Sequence, residues 1–218
     1  MSIVKEQSVK LEGKLDGVGI LKIIESVGRV SWASDDKNPD DDFEITKSFV
    51  KALMNRNHVS VIEFGGMVTF RVYTNRAIAN ELVRHRLASY CQNSTRYIKY
   101  REELSVIAPY SVVPGTESFD LWKNSVEVIE ETYHNMIDNG VTAQNARDIL
   151  PLCLGTEIMV SMNLRSWLNF FQLRTYKSAH PQMREIAIKM YNILKSEIPV
   201  IFDGLDVKPF KGKKREIK

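Results

Sequence analysis

The chain has 218 residues, 44% of them hydrophobic and 26% charged, which excludes wholesale disorder and leaves enough length for a sizeable core. Thirty basic residues against 27 acidic ones leave a formal charge of +3, too weak a balance to argue by itself for nucleic-acid binding. No apolar run approaches membrane-spanning length, the N-terminus lacks the apolar centre of a signal peptide, and Cys91 and Cys153 make neither a CxxC pair nor a zinc spacing. A cytoplasmic protein with free thiols is the expectation.

Residues 2 to 11 read as a short strand. Ile20, Ile23, Ile24 and Val27 have helical spacing, which predicts a helix over about 18 to 28. An acidic, turn-rich stretch at 35 to 42 follows and reads as a solvated loop, with Asp42 placed to cap the helix FEITKSFVKALMNR. GGMVTFRVYT alternates like a half-buried strand. NRAIANELVRHRLASY, residues 75 to 90, then reads as a helix, and 103 to 120 as connection. SFDLWKNSVEVIEETYHNMIDNG is a helix closed at Asn139-Gly140. VTAQNARDIL is a shorter one, stopped at Pro151. EIMVSMNLR predicts a second half-buried strand, and SWLNFFQLR and PQMREIAIKMYNILKSEI further helices. The tail from 208 to 218 is basic and is expected to fray. No repeat or composition shift divides the chain, so one α+β domain over 1 to 218 is expected.

Polar chemistry concentrates in RHRLASYCQNSTRY, residues 84 to 97. On a helix, Glu81, Arg84 and His85 fall within about a turn and a half, while Arg84 and Arg86 diverge by about 200°. They suit two anions, two parts of one large ligand, or a surface ion-pair face. Ser89, Gln92, Asn93, Ser94 and Thr95 would gather at the helix end, with Arg96 offering a planar fork for phosphate. A second cluster is NLRSWLNFFQLR, residues 163 to 174, where Arg165 and Asn169 share a helix face and Arg174 ends the helix. It reads either as a core helix with polar residues outside or as a ligand wall on an apolar base. In NHVSVIEF, residues 57 to 64, His58 reads as structural, because the pattern is not HExxH. GxGxxG, GxxxxGK[ST] and GxSxG are all missing.

RHR followed by seven residues and a serine resembles the signature of the flavin-dependent thymidylate synthases, the ThyX family. RVS at 29 to 31, HVSVIE at 58 to 63, RDILP at 147 to 151 and NLRSWLNFFQLR at 163 to 174 resemble further blocks of that family in the same order, over roughly residues 20 to 200. The resemblance implies a mostly antiparallel sheet with packed helices, and a homotetramer whose active sites are shared between chains. It implies conversion of dUMP to dTMP, with 5,10-methylenetetrahydrofolate as carbon donor, reduced FAD as hydride donor and NADPH as reductant of the flavin.

By residue, it implies dUMP contacts from Glu81, Arg84, Gln92, Ser94, Thr95, Arg96, Arg147 and Arg174. Arg174 would favour the ionised uracil, and Ser94 would position substrate. For FAD it implies Ser31, His58, Ser60, Arg84, His85, Arg86, Gln92, Asn163, Leu164 through its backbone, Arg165 and Asn169, with no metal. Cys91 is read as a buried packing residue. Two other readings stand beside this one: a nucleic-acid-binding module built on Arg84, Arg86, Arg96 and the basic tail, and a member of the same fold without activity.

Overall fold

A computed structural model describes residues 2–34 and 42–210. The acidic loop predicted at 35 to 42 lies outside the described residues except for Asp42, and the basic tail is described only as far as Phe210.

Two nine-residue strands make the centre. β3 (Met67–Asn75) and β6 (Gly155–Asn163) pair antiparallel along their whole length, Met67 opposite Asn163 and Asn75 opposite Gly155. Each strand ends in an asparagine that caps the next helix. Asn75 accepts the Ile78 amide of α3 (Arg76–Leu82), and Asn163 accepts the Ser166 amide of α6 (Leu164–Arg174), both at 2.8 Å. β2 (Ser8–Glu12) and β4 (Ala88–Gln92) flank the pair, giving the antiparallel order β2-β3-β6-β4.

Alternation decides what the sheet buries. Val68, Phe70, Val72, Ile158, Val160 and Met162 point inward and are fully covered. Against them pack α1 (Gly17–Val30), α2 (Phe43–Asn55), α6 and α7 (Pro181–Glu197). Asp42 accepts the Glu44 amide and caps α2 as expected. On the outward face Thr69 and Ser161 share a hydroxyl hydrogen bond of 2.9 Å. Arg71 on that face donates to Glu12 of β2 and to Glu157 of β6, each at 2.6 Å. A smaller apolar cluster, with Leu104, Val106, Val126 and Leu154, lies under α4 (Glu117–Asp138). That helix closes at Asn139, and Gly140 takes the left-handed φ of 85° that the turn needs.

Several expectations change. The strand predicted at 2 to 11 is two: β1 (Ile3–Val4) pairs in parallel with β5 (Ser105–Val106), and β2 turns away to join the main sheet. Residues 103 to 120 therefore contain a strand and are not only connection. The helix at 141 to 150 is a single turn, α5 (Ala143–Ala146), followed by a 3-10 turn at Arg147–Ile149. The largest correction is at 75 to 90. The α3 helix stops at Leu82, and Ala88–Gln92 forms the edge strand β4. The RHR triplet therefore sits on a turn, which Leu87 closes in the left-handed region at φ 62° while 84% exposed.

Trp167 fastens α6 to the sheet. It is fully buried, its Nε1 donates to the Val68 carbonyl at 3.1 Å, and its ring packs edge-on to Phe70 and Phe170. Trp167→Ala is expected to cost about 3–5 kcal/mol in denaturant unfolding, from lost transfer energy and the cavity left behind.

Candidate functional site

The α6 helix carries arginines on two opposite sides. Residues 165 and 174 are nine apart, about 900° of helical rotation, so their side chains leave the axis about 180° apart and about 13.5 Å along it. Leu164, Trp167, Leu168, Phe170 and Phe171 are buried in the core between them.

On one side, Arg174 meets the end of α3. Its Nε donates to Nε2 of His85 at 2.6 Å. Its Nη1 lies 3.4 Å from a Glu81 carboxylate oxygen, and its Nη2 is the same distance from the Glu81 carbonyl. The Nε bond is short, and the two outer ones are long and weak. The guanidinium is thus held firmly from behind, and its outer edge can exchange Glu81 for another anion.

The bond fixes the state of His85. An Nε2 that accepts must carry no proton, so the ring is neutral with its hydrogen on Nδ1. Burial pushes the His85 pKa from 6.5 down to about 4, and the Arg174 charge pushes the same way. The ring also packs edge-on to Phe170, with centroids 4.8 Å apart. Tyr90, on the inward side of β4, ties the turn. Its hydroxyl lies 2.9 Å from the Leu82 carbonyl and 2.7 Å from that of His85, sharing one proton between them. Burial raises the Tyr90 pKa to about 12, against a smaller downward pull from Arg174. Arg84 and Arg86 flank His85, are exposed, and pair with no described residue.

On the other side of α6, Arg165 pairs with Glu63 at 2.6 Å, both about half exposed. Glu63 lies in the 3-10 helix Val59–Gly65, which also carries Ser60 and is preceded by His58. His58 stands 6.1 Å from the exposed Trp32 ring. Ser31 caps the end of α1, its hydroxyl donating to the Gly28 carbonyl at 2.7 Å. Asn169, one turn beyond Arg165, is exposed on the same face. Asn163 spends its side chain on the α6 cap, and the Leu164 side chain is buried.

The remaining predicted residues form a third group. Gln92 Nε2 donates to the Thr156 hydroxyl at 3.1 Å. The Ser94 hydroxyl accepts from the Arg96 amide at 3.3 Å, and Thr95 is buried. Arg96 Nε donates to Gln144 of α5, also at 3.3 Å, three residues before the exposed Arg147. Among the described residues no side-chain contact joins this group to Arg174. Among the described residues, side-chain contacts therefore do not join the dUMP set expected from sequence into one cluster on one chain.

Cys91 also departs from expectation: it is exposed, not packed. It follows Tyr90 in β4 and points to the opposite face of the sheet, away from the side that holds the His85 carbonyl. Sequence reading missed Arg76, whose Nη2 donates to the Asn93 carbonyl at 2.8 Å and steadies the chain before Ser94. It also missed Tyr90 as the tie of the turn. Neither belongs to a pattern that periodicity reveals.

Antiparallel sheet, packed helices and three guanidinium-bearing clusters define an α+β protein with arginine side chains on more than one face. The chain belongs to the thymidylate synthase complementing protein family, whose pattern it matches over residues 17–200. It is 33% identical over 156 residues to a flavin-dependent thymidylate synthase of Geobacter sulfurreducens, covering 71% of this chain and 67% of that one. A relative of the same description from Pyrococcus abyssi is 33% identical over 147 residues, 66% of this chain but only 60% of the relative. One from Saccharolobus solfataricus is 32% identical over 191 residues, 86% of this chain and 72% of the other. The fold is similar to that of a UMP/dUMP methylase from Streptomyces cacaoi, solved with 5-bromo-dUMP, at a TM-score of 0.78 and 22% identity over 93% of this chain and 96% of that one.

The neutral His85 gives a pH prediction. A base whose pKa falls on folding adds stability that is complete above its unfolded value near 6.5 and is lost as pH drops toward about 4. The melting temperature should therefore fall between pH 6.5 and 4 more steeply in wild type than in His85→Phe, which keeps the ring contact and has nothing to protonate. Parallel melting curves across that range would contradict the assignment.

Proposed function

We propose that this protein is a flavin-dependent thymidylate synthase. In this reading dUMP, 5,10-methylenetetrahydrofolate, NADPH and a proton give dTMP, tetrahydrofolate and NADP⁺. The observation that carries it is the Arg174 guanidinium, fixed at Nε by a neutral histidine and held at its outer edge only by long bonds to Glu81, in a chain of this family.

A uracil that loses its N3 proton places negative charge along N3 and O4, and a planar cation of fixed orientation stabilises that charge. Arg174 fits this role because its rear N–H is already taken by His85 and its two outer nitrogens are held only by long bonds to Glu81. The anionic base is richer in electrons at C5, where the new carbon bond forms. Glu81 guards the same edge and leaves it when the base arrives. Arg84, with Arg96 and Arg147, supplies guanidinium for the phosphate. Ser94 positions substrate: its hydroxyl meets a backbone amide, and no base stands beside it to make a nucleophile.

Bound here and reduced by NADPH, FAD would supply the hydride that completes the methyl group. Its donor requirements fit the residues present: a pyrophosphate needs cations, and Arg84, Arg86 and Arg165 are exposed, with Arg165 paired to the half-exposed Glu63. Ser31, His58, Ser60, His85, Gln92, Asn163, the Leu164 backbone and Asn169 complete the set.

The two arginines of α6 face opposite ways, and the Arg96–Arg147 group stands apart. One chain therefore presents parts of more than one site, which favours a homotetramer with active sites shared between chains. Among the described residues no helix is long and apolar enough to cross a membrane, which fits an enzyme of small molecules in the cytoplasm.

The test starts with the visible spectrum of the purified protein and anaerobic reduction by NADPH with and without dUMP. Bound flavin whose reduction responds to dUMP is expected; no flavin after reconstitution with FAD would overturn the reading. Arg174→Ala should keep the fold and FAD, weaken dUMP binding, and lower turnover by about 10²–10³-fold, the usual cost of losing one fixed electrostatic donor. Cys91→Ala should turn over at the wild-type rate.

A further inference from the structure

Arg76 is the first residue of α3, directly after the Asn75 cap, and it bonds in two directions. Its backbone amide donates to the Leu154 carbonyl at 3.1 Å, and the next amide, of Ala77, donates to the Leu152 carbonyl at 3.2 Å. These bonds hold the chain just beyond the 3-10 turn that carries Arg147. The side chain reaches the other way, where Nη2 donates to the Asn93 carbonyl at 2.8 Å. Asn93 stands directly before Ser94, Thr95 and Arg96, and its own amide donates to the Glu157 carbonyl of β6 at 3.0 Å.

The Ser94 turn is a compact unit. The Tyr97 and Ile98 amides donate to the Ser94 carbonyl at 3.2 and 3.0 Å, and the Arg96 amide donates to the Ser94 hydroxyl at 3.3 Å. Asn93 is the joint from which that unit hangs on the edge strand β4. Its carbonyl shares one rigid peptide plane with the Ser94 amide, so a cation that grips the carbonyl also sets the direction in which the turn leaves the strand. The grip comes at a cost to the fold, because Nε of Arg76 is buried with no hydrogen-bond partner among the described residues. Arg76 is therefore a poor packing group, and the bond its side chain does make goes to the loop of Ser94.

We propose that Arg76 is a positioning residue for the phosphate of the substrate: it sets the loop of Ser94 and Arg96 against α3 and does not itself touch the nucleotide. The inference rests on the reading above, which gives Ser94 and Arg96 to dUMP. Its consequence is selective. Glu81 and Arg174, the groups at the uracil, stand on α3 and α6 and meet each other without passing through Asn93. Arg76 therefore governs how well the phosphate is held and leaves the base alone. Lysine at this position keeps the charge and a donor but loses the planar fork, so it does part of the work.

The test compares wild type with Arg76→Gln and Arg76→Lys, each loaded with FAD. Calorimetry gives Kd for dUMP and for deoxyuridine, which has the same base and sugar and no phosphate. Arg76→Gln should weaken dUMP by about tenfold, the usual weight of a lost bond to a charged group, and leave deoxyuridine unchanged. KM for dUMP should rise while kcat at saturation is kept, and Arg76→Lys should recover part of the loss. Amide hydrogen exchange supplies a readout without substrate: the Arg96, Tyr97 and Ile98 amides should exchange faster in Arg76→Gln, with the β6 amides unchanged. A dUMP-to-deoxyuridine ratio that stays at its wild-type value overturns the proposal. So does equal weakening of both ligands with exchange raised across the sheet, which would make Arg76 a residue of the fold alone. A fallen ratio with loop exchange unchanged also overturns it, because Arg76 would then touch the phosphate directly. Wild type that binds no dUMP sinks the reading above and this proposal with it, whereas normal dUMP binding in both wild type and Arg76→Gln sinks this proposal alone.

Discussion

Everything at the candidate sites depends on how α6 is seated. Asn163 ends the central strand and caps the helix in one step, and Trp167 then bonds the backbone of the neighbouring strand from inside the core. With the helix start and one interior residue both fixed, its rotation about its own axis is fixed as well. Arg165, Asn169 and Gln172 are therefore sent to one side and Arg174 to the other. Each guanidinium sits on rigid structure, and little ordering of the scaffold is left for ligand binding to do.

The α3 helix works differently. It is short, capped by Asn75, and ends at Leu82. The chain then needs a turn to feed an edge strand, and the polar triplet occupies that turn. The stretch pays for this geometry with a left-handed Leu87. In return, His85 points inward to Arg174 while Arg84 and Arg86 stay outside. A continuous helix would place all three on a cylinder, and the inward histidine would lose the Tyr90 tie that holds its carbonyl.

Much of this was legible in the chain. The strands at 67 and 157, the helices at 43, 118, 166 and 181, and the Asp42 and Asn139-Gly140 caps carry strong local signals, and the structure has them. The helix drawn through 75 to 90 was not correct, because Leu82, Val83, Leu87 and Ala88 keep an apolar spacing that fits a helix as well as a turn and a strand. Tertiary pairing with β6 decides the matter, and no local pattern reports it. Cys91 was misread for the same reason: on a strand its neighbour Tyr90 takes the inward position. The arginine-rich blocks were visible as types and spacings. Which of them meet was not, since His85 and Arg174 are 89 residues apart and join only where the turn after α3 meets the end of α6.

The ion triplet Glu12–Arg71–Glu157 on the outward face gains a different meaning in this light. Its groups are partly exposed, so as a source of stability it counts for little. Its value is in what it forbids. It spans β2, β3 and β6, and a slip of one residue in either pairing would swing the Arg71 guanidinium into the core while bringing Val72 or Phe70 out to water. The triplet is a check on alignment. It makes the misregistered sheet expensive, and so guards the placement of Asn75 and Asn163, the two residues from which both arginine-bearing arrangements are hung.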